Sequence, residues 1–192
     1  MLFRSSVNEV YRVLYGAPLE RFVDLVLYPQ SEEQVQSIVE AANIHGVCLV
    51  PYGGGTNVSG ALSLRSKEER PIASVDMSRM NRILSLDRDN LMACVESGIC
   101  GRDLERELAS QGYTSGHDPD SVELSTLGGW ISTNASGMKK NKYGNIEDIV
   151  LEATLITPTG AVETLRATPR NSTGVQPRGL LFGSEEIGRA HV

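Results

Sequence analysis

The chain has 192 residues, of which 40% are hydrophobic and 22% are charged, a composition typical of a folded globular protein. Its formal net charge of −6 excludes a general electrostatic attraction to nucleic acid or to an anionic membrane. No apolar run approaches the ~18 residues of a membrane-spanning helix, and the cysteines form no Cys-x-x-Cys pair. We therefore expect a soluble intracellular protein with reduced thiols.

The first predicted elements form a β-α-β unit. The sequence DLVLYP, which ends at Pro29, is typical of a short strand, and VCLVP is typical of a second strand. Between them, Ser31 begins a capping-box pattern ahead of apolar residues at helical spacing, and Gly46 ends the helix. Such a crossover joins parallel strands, so the glycine-rich sequence that follows lies at the sheet edge where open α/β sheets bind ligands.

The middle of the chain is predicted to form a second, strand-rich lobe. The sequences IASVDM, which begins at Ile72, ILSLD and LMACVES are typical of short strands, and a helix follows from Gly101. Thr126 is expected to cap a further helix through LGGWISTNAS, and LEATLITP is expected to pair with AVETLRA as a hairpin that turns through Thr159 and Gly160. This pattern predicts two packed α+β lobes rather than one doubly wound sheet.

The sequence PYGGGTNVSG, Pro51 to Gly60, carries three consecutive glycines. It is not a Walker loop, because Ala61 and Leu62 replace the required lysine and hydroxyl, and it is not a dinucleotide fingerprint, because Val58 occupies the place of the third glycine. It fits a concavity in which main-chain N–H groups converge on a pyrophosphate, and a glycine-rich turn between strands is the alternative. Side-chain donors are expected from Thr56, Asn57 and Ser59.

The sequence HDPDSVELSTLGGWISTNASGMKKNKYGNIEDIV, together with PYGGGTNVSGAL and PRNSTG, resembles flavoproteins of the vanillyl-alcohol oxidase (PCMH) type and, within them, the alkylglycerone-phosphate synthase family. The resemblance implies an α+β, two-lobed FAD-binding domain with a small β-α-β lobe and a larger mixed or antiparallel sheet lobe with flanking helices. FAD is expected to be bound non-covalently. By that resemblance the cofactor-binding residues are Pro51, Tyr52, Gly53, Gly54, Gly55, Thr56, Asn57, Pro119, Asp120, Ser121, Val122, Glu123, Leu124, Ser125, Ser132, Thr133, Asn134, Ala135, Ser184 and Glu185.

Two features of these segments concern cofactor affinity. Thr126 and the small pair Gly128 and Gly129 are expected to let a helix N-terminus approach an anion closely. Asn134 stands where the resembled family has arginine, so an amide would replace a charge-assisted contact, and we expect weaker binding of FAD.

Other polar and aromatic residues are assigned structural or surface roles. His117 is interpreted as a loop histidine, with proximity to the flavin as the second choice, and no metal is expected because no second histidine or cysteine lies at ligand spacing. Trp130 is interpreted as core packing. A solvated loop is expected around Lys139, Lys140 and Lys142, with a minor role at a substrate phosphate as the alternative.

The resemblance also implies a domain organisation. Residues 1–22 are an N-terminal segment, residues 23–185 are an incomplete FAD-binding domain, and residues 186–192 are interpreted as a non-native tail. The cap domain with the family's substrate and acid/base residues would lie outside this chain. We therefore assign no catalytic residue and expect this polypeptide to be inactive by itself.

The implied reaction is an FAD-dependent alkyl transfer of ether-lipid biosynthesis. The acyl chain of acyl-dihydroxyacetone phosphate is exchanged for a fatty alcohol, giving alkyl-dihydroxyacetone phosphate in the peroxisome. The expected partners are these lipids and a second copy in a homodimer, with no nucleic acid, no transmembrane segment and peripheral membrane contact through parts outside this chain. Two alternatives are an FAD-dependent 2-hydroxy-acid dehydrogenase or oxidase of the same fold, and a non-catalytic fragment.

Overall fold

The computed structural model describes residues 11–12, 14–16, 21–162, 172, 177–184 and 190–191. Its first lobe is a three-stranded parallel sheet with one helix. The strands are β1 (Leu25–Leu27), β2 (Cys48–Tyr52) and β3 (Ile72–Asp76), and helix α1 (Glu32–His45) connects β1 to β2. The predicted parallel β-α-β unit is confirmed.

Strand β3 corrects one prediction, because it belongs to this first lobe and not to the second. The spatial order is β1-β3-β2, with Ala73 paired to Leu25 on one side and to Leu49 on the other. Every residue of β3 is buried, as expected for a parallel strand with a neighbour on both edges. The two strands of the β-α-β unit are therefore separated by the width of one strand.

The ends of α1 lie where the sequence pattern predicts them. The Ser31 hydroxyl accepts a hydrogen bond from the main-chain N–H of Gln34, and the Gln34 side chain accepts one from the main-chain N–H of Gln30 at 2.8 Å. Gly46 adopts a left-handed conformation with φ 65°, which ends the helix at little steric cost. Val35, Val39 and Ala42 form the buried stripe that packs on the sheet.

The second lobe contains antiparallel strands and short helices. Its helices are α2 (Gly101–Ser110), α3 (Leu127–Thr133), α4 (Lys140–Tyr143) and α5 (Ile146–Ile149). Its strands are β4 (Ile83–Asp87) and β5 (Met92–Val95), which pair with each other, and β6 (Leu155–Thr157), β7 (Gly160–Val162) and β8 (Ala190–His191), in the order β7-β6-β8. Across the described ranges, no helix has both the length and the apolar character needed to cross a bilayer.

Two boundaries in this lobe differ from the prediction. The hairpin of β6 and β7 is confirmed, but Thr157 pairs with Gly160, so the turn is Pro158-Thr159. Part of the predicted second strand, residues 163–167, lies outside the described residues. Helix α3 begins after the Thr126 cap as predicted but ends at Thr133, because Asn134 takes the left-handed conformation with φ 51°.

Strand β6 joins the hydrophobic cores of the two lobes. Successive side chains of a strand point to opposite faces. Ile156 belongs to the hydrophobic cluster that contains Val35 and Val39 of α1, whereas Leu155 belongs to the cluster that contains Trp130 and Ile131 of α3. Ile156 has no exposed surface, and its full burial is worth about 1.5–3 kcal/mol. This packing holds α3 next to the carboxyl edge of the parallel sheet.

Candidate cofactor site

A cavity of about 380 Å³ opens at the carboxyl end of β2, within the 300–1,000 Å³ that is usual for ligand pockets. Three segments form its polar walls: the glycine loop (residues 53–57), the 119–126 segment and helix α3. Apolar side chains of Val50, Leu62 and Met77 also line it. The cavity thus combines an apolar surface with convergent polar groups.

The glycine loop packs directly against the 119–126 segment. A Cβ atom at Gly54 would lie 2.6 Å from the carbonyl carbon of Leu124 and 2.9 Å from Cα of Ser125. A Cβ at Gly53 would overlap the hydroxyl of Thr126, and Gly55 has φ 68°. The three glycines are therefore required by the protein's own backbone contacts and turn. Packing and turn geometry are thus sufficient reasons for glycine here, whether or not a ligand also approaches the loop.

The glycine loop nevertheless offers unused hydrogen-bond donors. Within the described part of the chain, the main-chain N–H groups of residues 53–57 make no hydrogen bond to another protein group. The Oδ1 atom of Asn57 accepts hydrogen bonds from the Ala61 N–H at 3.2 Å and the Ser59 hydroxyl at 3.4 Å. This leaves the Asn57 NH₂ group as a donor, whereas the Ser59 hydroxyl donates to Asn57 instead of to a ligand.

The 119–126 segment presents only part of its length to the cavity. Pro119, Asp120, Ser121 and Ser125 line it, as do Pro51, Tyr52 and the whole glycine loop. The predicted residues Val122, Glu123 and Leu124 do not line it. Val122 packs in the core beside α2, the carbonyl of Glu123 accepts a hydrogen bond from the Cys100 thiol at 2.9 Å, and the Leu124 side chain is 65% exposed.

The two remaining sets of predicted cofactor-binding residues, 132–135 and 184–185, also line the cavity only in part. Ser132, Thr133 and Ala135 line the cavity, whereas Asn134 is exposed and lies off it as the cap residue at the end of α3. The contact of the Asn134 amide with the cofactor therefore stays a prediction, and the lining of this cavity does not include Asn134. Ser184 does not line the cavity, and Glu185 lies outside the described residues.

The N-terminus of α3 is not an anion-binding site, which corrects a further prediction. Its first N–H groups are already bonded within the protein: Leu127 donates to Ile99 at 3.1 Å and Gly128 donates to Ser97 at 2.7 Å. The Gly129 N–H donates to the Thr126 hydroxyl at 3.3 Å. Because these donors are used, the main-chain donors available to an anion come from the glycine loop.

Trp130 connects the cavity wall to a buried histidine. It is 2% exposed, which confirms its assignment to the core, and its Nε1–H donates to the Ser125 hydroxyl at 2.7 Å. The His117 ring lies 4.8 Å from the Trp130 ring and is 2% exposed. Neither ring nitrogen of His117 has a hydrogen-bond partner among the described residues, and burial lowers its pKa below the ordinary value. His117 does not line the cavity.

The lysine-rich loop is exposed, as predicted. Lys139 pairs with Asp118 at 3.1 Å, and the Lys142 ammonium lies 4.8 Å from the centre of the Tyr143 ring. Several lining residues were not indicated by the sequence pattern, although Met77 directly follows β3, at the carboxyl edge of the sheet where such residues are expected. These additional lining residues are Val50, Val58, Ala61, Leu62, Met77, Ser97 and Trp130.

Comparison with known proteins identifies the group that such a site holds. Residues 23–166 match the profile of the FAD binding domain family. An alkyldihydroxyacetonephosphate synthase of Caenorhabditis elegans is 46% identical to this chain, and the alignment covers 94% of this chain and 30% of the synthase. The alkyldihydroxyacetonephosphate synthase of Dictyostelium discoideum is 42% identical, over 95% of this chain and 30% of that synthase. A solved alkyldihydroxyacetonephosphate synthase structure superimposes with a TM-score of 0.86 at 40% identity, over 98% of this chain and 34% of that one.

The chain thus spans about 30% of the length of the curated relatives with which it aligns. The family match covers the sheet, the glycine loop, the 119–126 segment and α3, which together form the cavity. The chain therefore belongs to the FAD binding domain family, and FAD is its cofactor.

Proposed function

We propose that this chain is the FAD-binding part of an alkyl transferase of ether-lipid biosynthesis. Its substrates are acyl-dihydroxyacetone phosphate and a fatty alcohol, and its location is the peroxisome, in a homodimer. The observation that carries this proposal is the 46% and 42% identity to two alkyldihydroxyacetonephosphate synthases along almost the whole chain. By comparison, a D-lactate dehydrogenase of Anaerostipes hadrus is 32% identical over 84% of this chain.

The donor set of the cavity fits FAD. A diphosphate carries negative charge and only accepts hydrogen bonds. The glycine loop offers main-chain N–H groups and the Asn57 NH₂ group, for which the described residues provide no competing acceptor. Donors held in place by the packing of Gly53 and Gly54 on the 119–126 segment need no reorganisation when the anion binds. Apolar side chains of Val50, Leu62 and Met77 complete the lining of the cavity.

The role of this chain's residues is to bind and orient the cofactor, which supplies the alkyl-transfer chemistry when bound. We assign the diphosphate to residues 53–57 and the remainder of the dinucleotide to the other lining residues of the 119–126 segment and α3. No catalytic residue is assigned within this chain. We propose that the FAD-binding domain extends over residues 23–185.

A domain exchange tests the function. Residues 23–166 replace the corresponding segment of the Caenorhabditis elegans synthase, and the matched control carries the corresponding segment of the Anaerostipes hadrus D-lactate dehydrogenase. We expect the first chimera to bind FAD and to form alkyl-dihydroxyacetone phosphate, and the control to lose ether formation. A first chimera that binds FAD but forms no ether product would contradict the synthase assignment.

The isolated chain provides a second test. We expect the purified 192-residue polypeptide to take up FAD, with a flavin absorbance spectrum, and to form no ether product from acyl substrate and fatty alcohol. Ether formation by this polypeptide would overturn its assignment as a cofactor-binding part. Absence of any flavin uptake would instead favour a non-catalytic fragment.

A further inference from the structure

His117 is a buried histidine that packs as an apolar ring. It is 2% exposed, and neither Nδ1 nor Nε2 has a hydrogen-bond partner among the described residues. A neutral imidazole has one donor and one acceptor, so both are unsatisfied in this arrangement. The main-chain N–H of His117 donates to the Ser115 hydroxyl at 3.2 Å, which holds the loop that carries the ring.

The ring supports one wall of the cofactor cavity through Trp130. The centres of the two rings lie 4.8 Å apart, with an interplanar angle of 60°. Gly137 lies against the same imidazole, because a Cβ atom there would be 3.1 Å from Nδ1 of His117. Trp130 lines the cavity, and its Nε1–H donates to the Ser125 hydroxyl at 2.7 Å. A change in the His117 ring therefore reaches the cavity through the indole.

Charged groups surround this packing. The charged or titratable side chains that contact the loop of His117 or act on its ring are Glu105, Asp118, Lys139, Tyr143 and Glu147. Helix α3 has no charged side chain. Burial lowers the pKa of His117, and the three carboxylates raise it by less than burial lowers it. Two of these carboxylates already have partners, because Asp118 pairs with Lys139 and Glu105 accepts hydrogen bonds from the loop before His117.

Glu147 of α5 has an unused acceptor. Its Oε1 accepts a hydrogen bond from the Asn145 amide at 3.3 Å, whereas its Oε2 is buried and has no hydrogen-bond partner among the described residues. A protonated imidazole donates from both nitrogens and needs acceptors. Trp130 offers none, because its N–H is a donor that is already used. A proton on His117 thus favours Glu147 over the packing on Trp130.

We propose that His117 is a proton-sensitive positioning residue of the cofactor cavity. Uncharged, its ring packs on Trp130 and the wall is rigid, and protonated, the ring turns to Glu147 and the wall loosens. FAD is therefore bound more weakly in acid. By linkage, bound FAD favours the uncharged ring. This inference goes beyond the proposed alkyl transfer, and only its effect on FAD rests on the cofactor site.

The FAD affinity of the full chain between about pH 8 and pH 5, measured by flavin fluorescence, tests the proposal. We expect a constant Kd above pH 6.5 and a rising Kd below it, approaching about tenfold per pH unit for one proton. His117→Phe keeps a ring on Trp130 that takes up no proton, so its Kd stays constant. His45→Phe changes an exposed histidine of α1 and, as the matched control, keeps the pH dependence of the parent chain. A parent Kd that is constant over this range would overturn the proposal.

Tryptophan fluorescence tests the contact without cofactor, because Trp130 is the only tryptophan of the chain. We expect its emission to move to longer wavelength over the same pH range, since water reaches the indole when the His117 ring leaves, while circular dichroism shows that the chain stays folded. His117→Phe shows no such change. An emission that is independent of pH in the parent chain would contradict the role of His117. A parent chain that shows the change but binds no FAD at any pH would contradict the cofactor site instead.

Glu147→Gln tests the second arrangement of the ring. Loss of this carboxylate removes a charge that raises the pKa of His117, so we expect the midpoint of the emission change to move to lower pH. Asp148→Asn, which changes the neighbouring exposed carboxylate of α5, is the matched control and leaves the midpoint unchanged. An equal midpoint in Glu147→Gln and the parent chain would overturn the pairing, and this comparison decides the matter if His117→Phe does not fold.

Discussion

Substituting Gly54 by alanine tests why the loop is free of side chains. The new Cβ would lie 2.6 Å from the Leu124 carbonyl carbon and 2.9 Å from Cα of Ser125, whereas ordinary contacts begin at 3.4 Å. The neighbours are backbone atoms, which cannot rotate away as a side chain would. We therefore expect an overpacking cost of about 2 kcal/mol even without cofactor, which lowers Tm by about 4–8 °C in a domain of this size.

The assay is thermal unfolding of the cofactor-free chain followed by circular dichroism, with FAD affinity measured separately by flavin fluorescence. Gly179→Ala is the matched control, because a Cβ there meets no atom of the described residues within 4 Å. We expect Gly54→Ala to lower both Tm and FAD affinity, and Gly179→Ala to change neither. An unchanged Tm with a large loss of FAD affinity would show that only the ligand requires the glycine, and would refute the packing argument.

Three further variants test other residues. The folded-state pKa of His117 is below 6.5 because the ring is buried, so stability falls as pH drops from 6.5 through that pKa, and we expect His117→Phe to flatten this fall in pH-dependent unfolding curves. Arg82 lowers the pKa of the buried Glu96 carboxyl below 4.5 through hydrogen bonds of 3.1 and 2.7 Å. The stability that these hydrogen bonds contribute is therefore present above pH 4.5 and is lost as pH falls through the lowered pKa. We expect the unfolding free energies of Glu96→Gln and of the parent chain to converge in acid. Asn134 has the left-handed φ of 51°, so we expect Asn134→Arg to lower the free energy of unfolding by about 0.5–1 kcal/mol and Asn134→Gly not to lower it. FAD affinity should be unchanged in both variants. A large change in FAD affinity would contradict the position of Asn134 off the cavity.

Local sequence determined the elements whose signals lie within a few residues of each other. Ser31 and Gln34 form the start of α1, and Gly46 ends it, because capping hydrogen bonds and left-handed conformations depend on short-range geometry. Thr126 begins α3 for the same reason. Glycine and short polar residues at a strand's carboxyl end suited a diphosphate, and the resemblance of these motifs to a known flavoprotein family implied FAD, which the family match supports.

Only the tertiary structure decided which of these residues contact one another. Strand β3 lies between β1 and β2 because pairing depends on long-range register, which no local pattern records. The N–H groups of α3 are satisfied by Ile99 and Ser97, about thirty residues earlier in the chain, so the helix offers no donor to an anion. The Ser125 hydroxyl accepts the Trp130 Nε1–H, and whether a hydroxyl donates or accepts is set by such neighbours rather than by residue type.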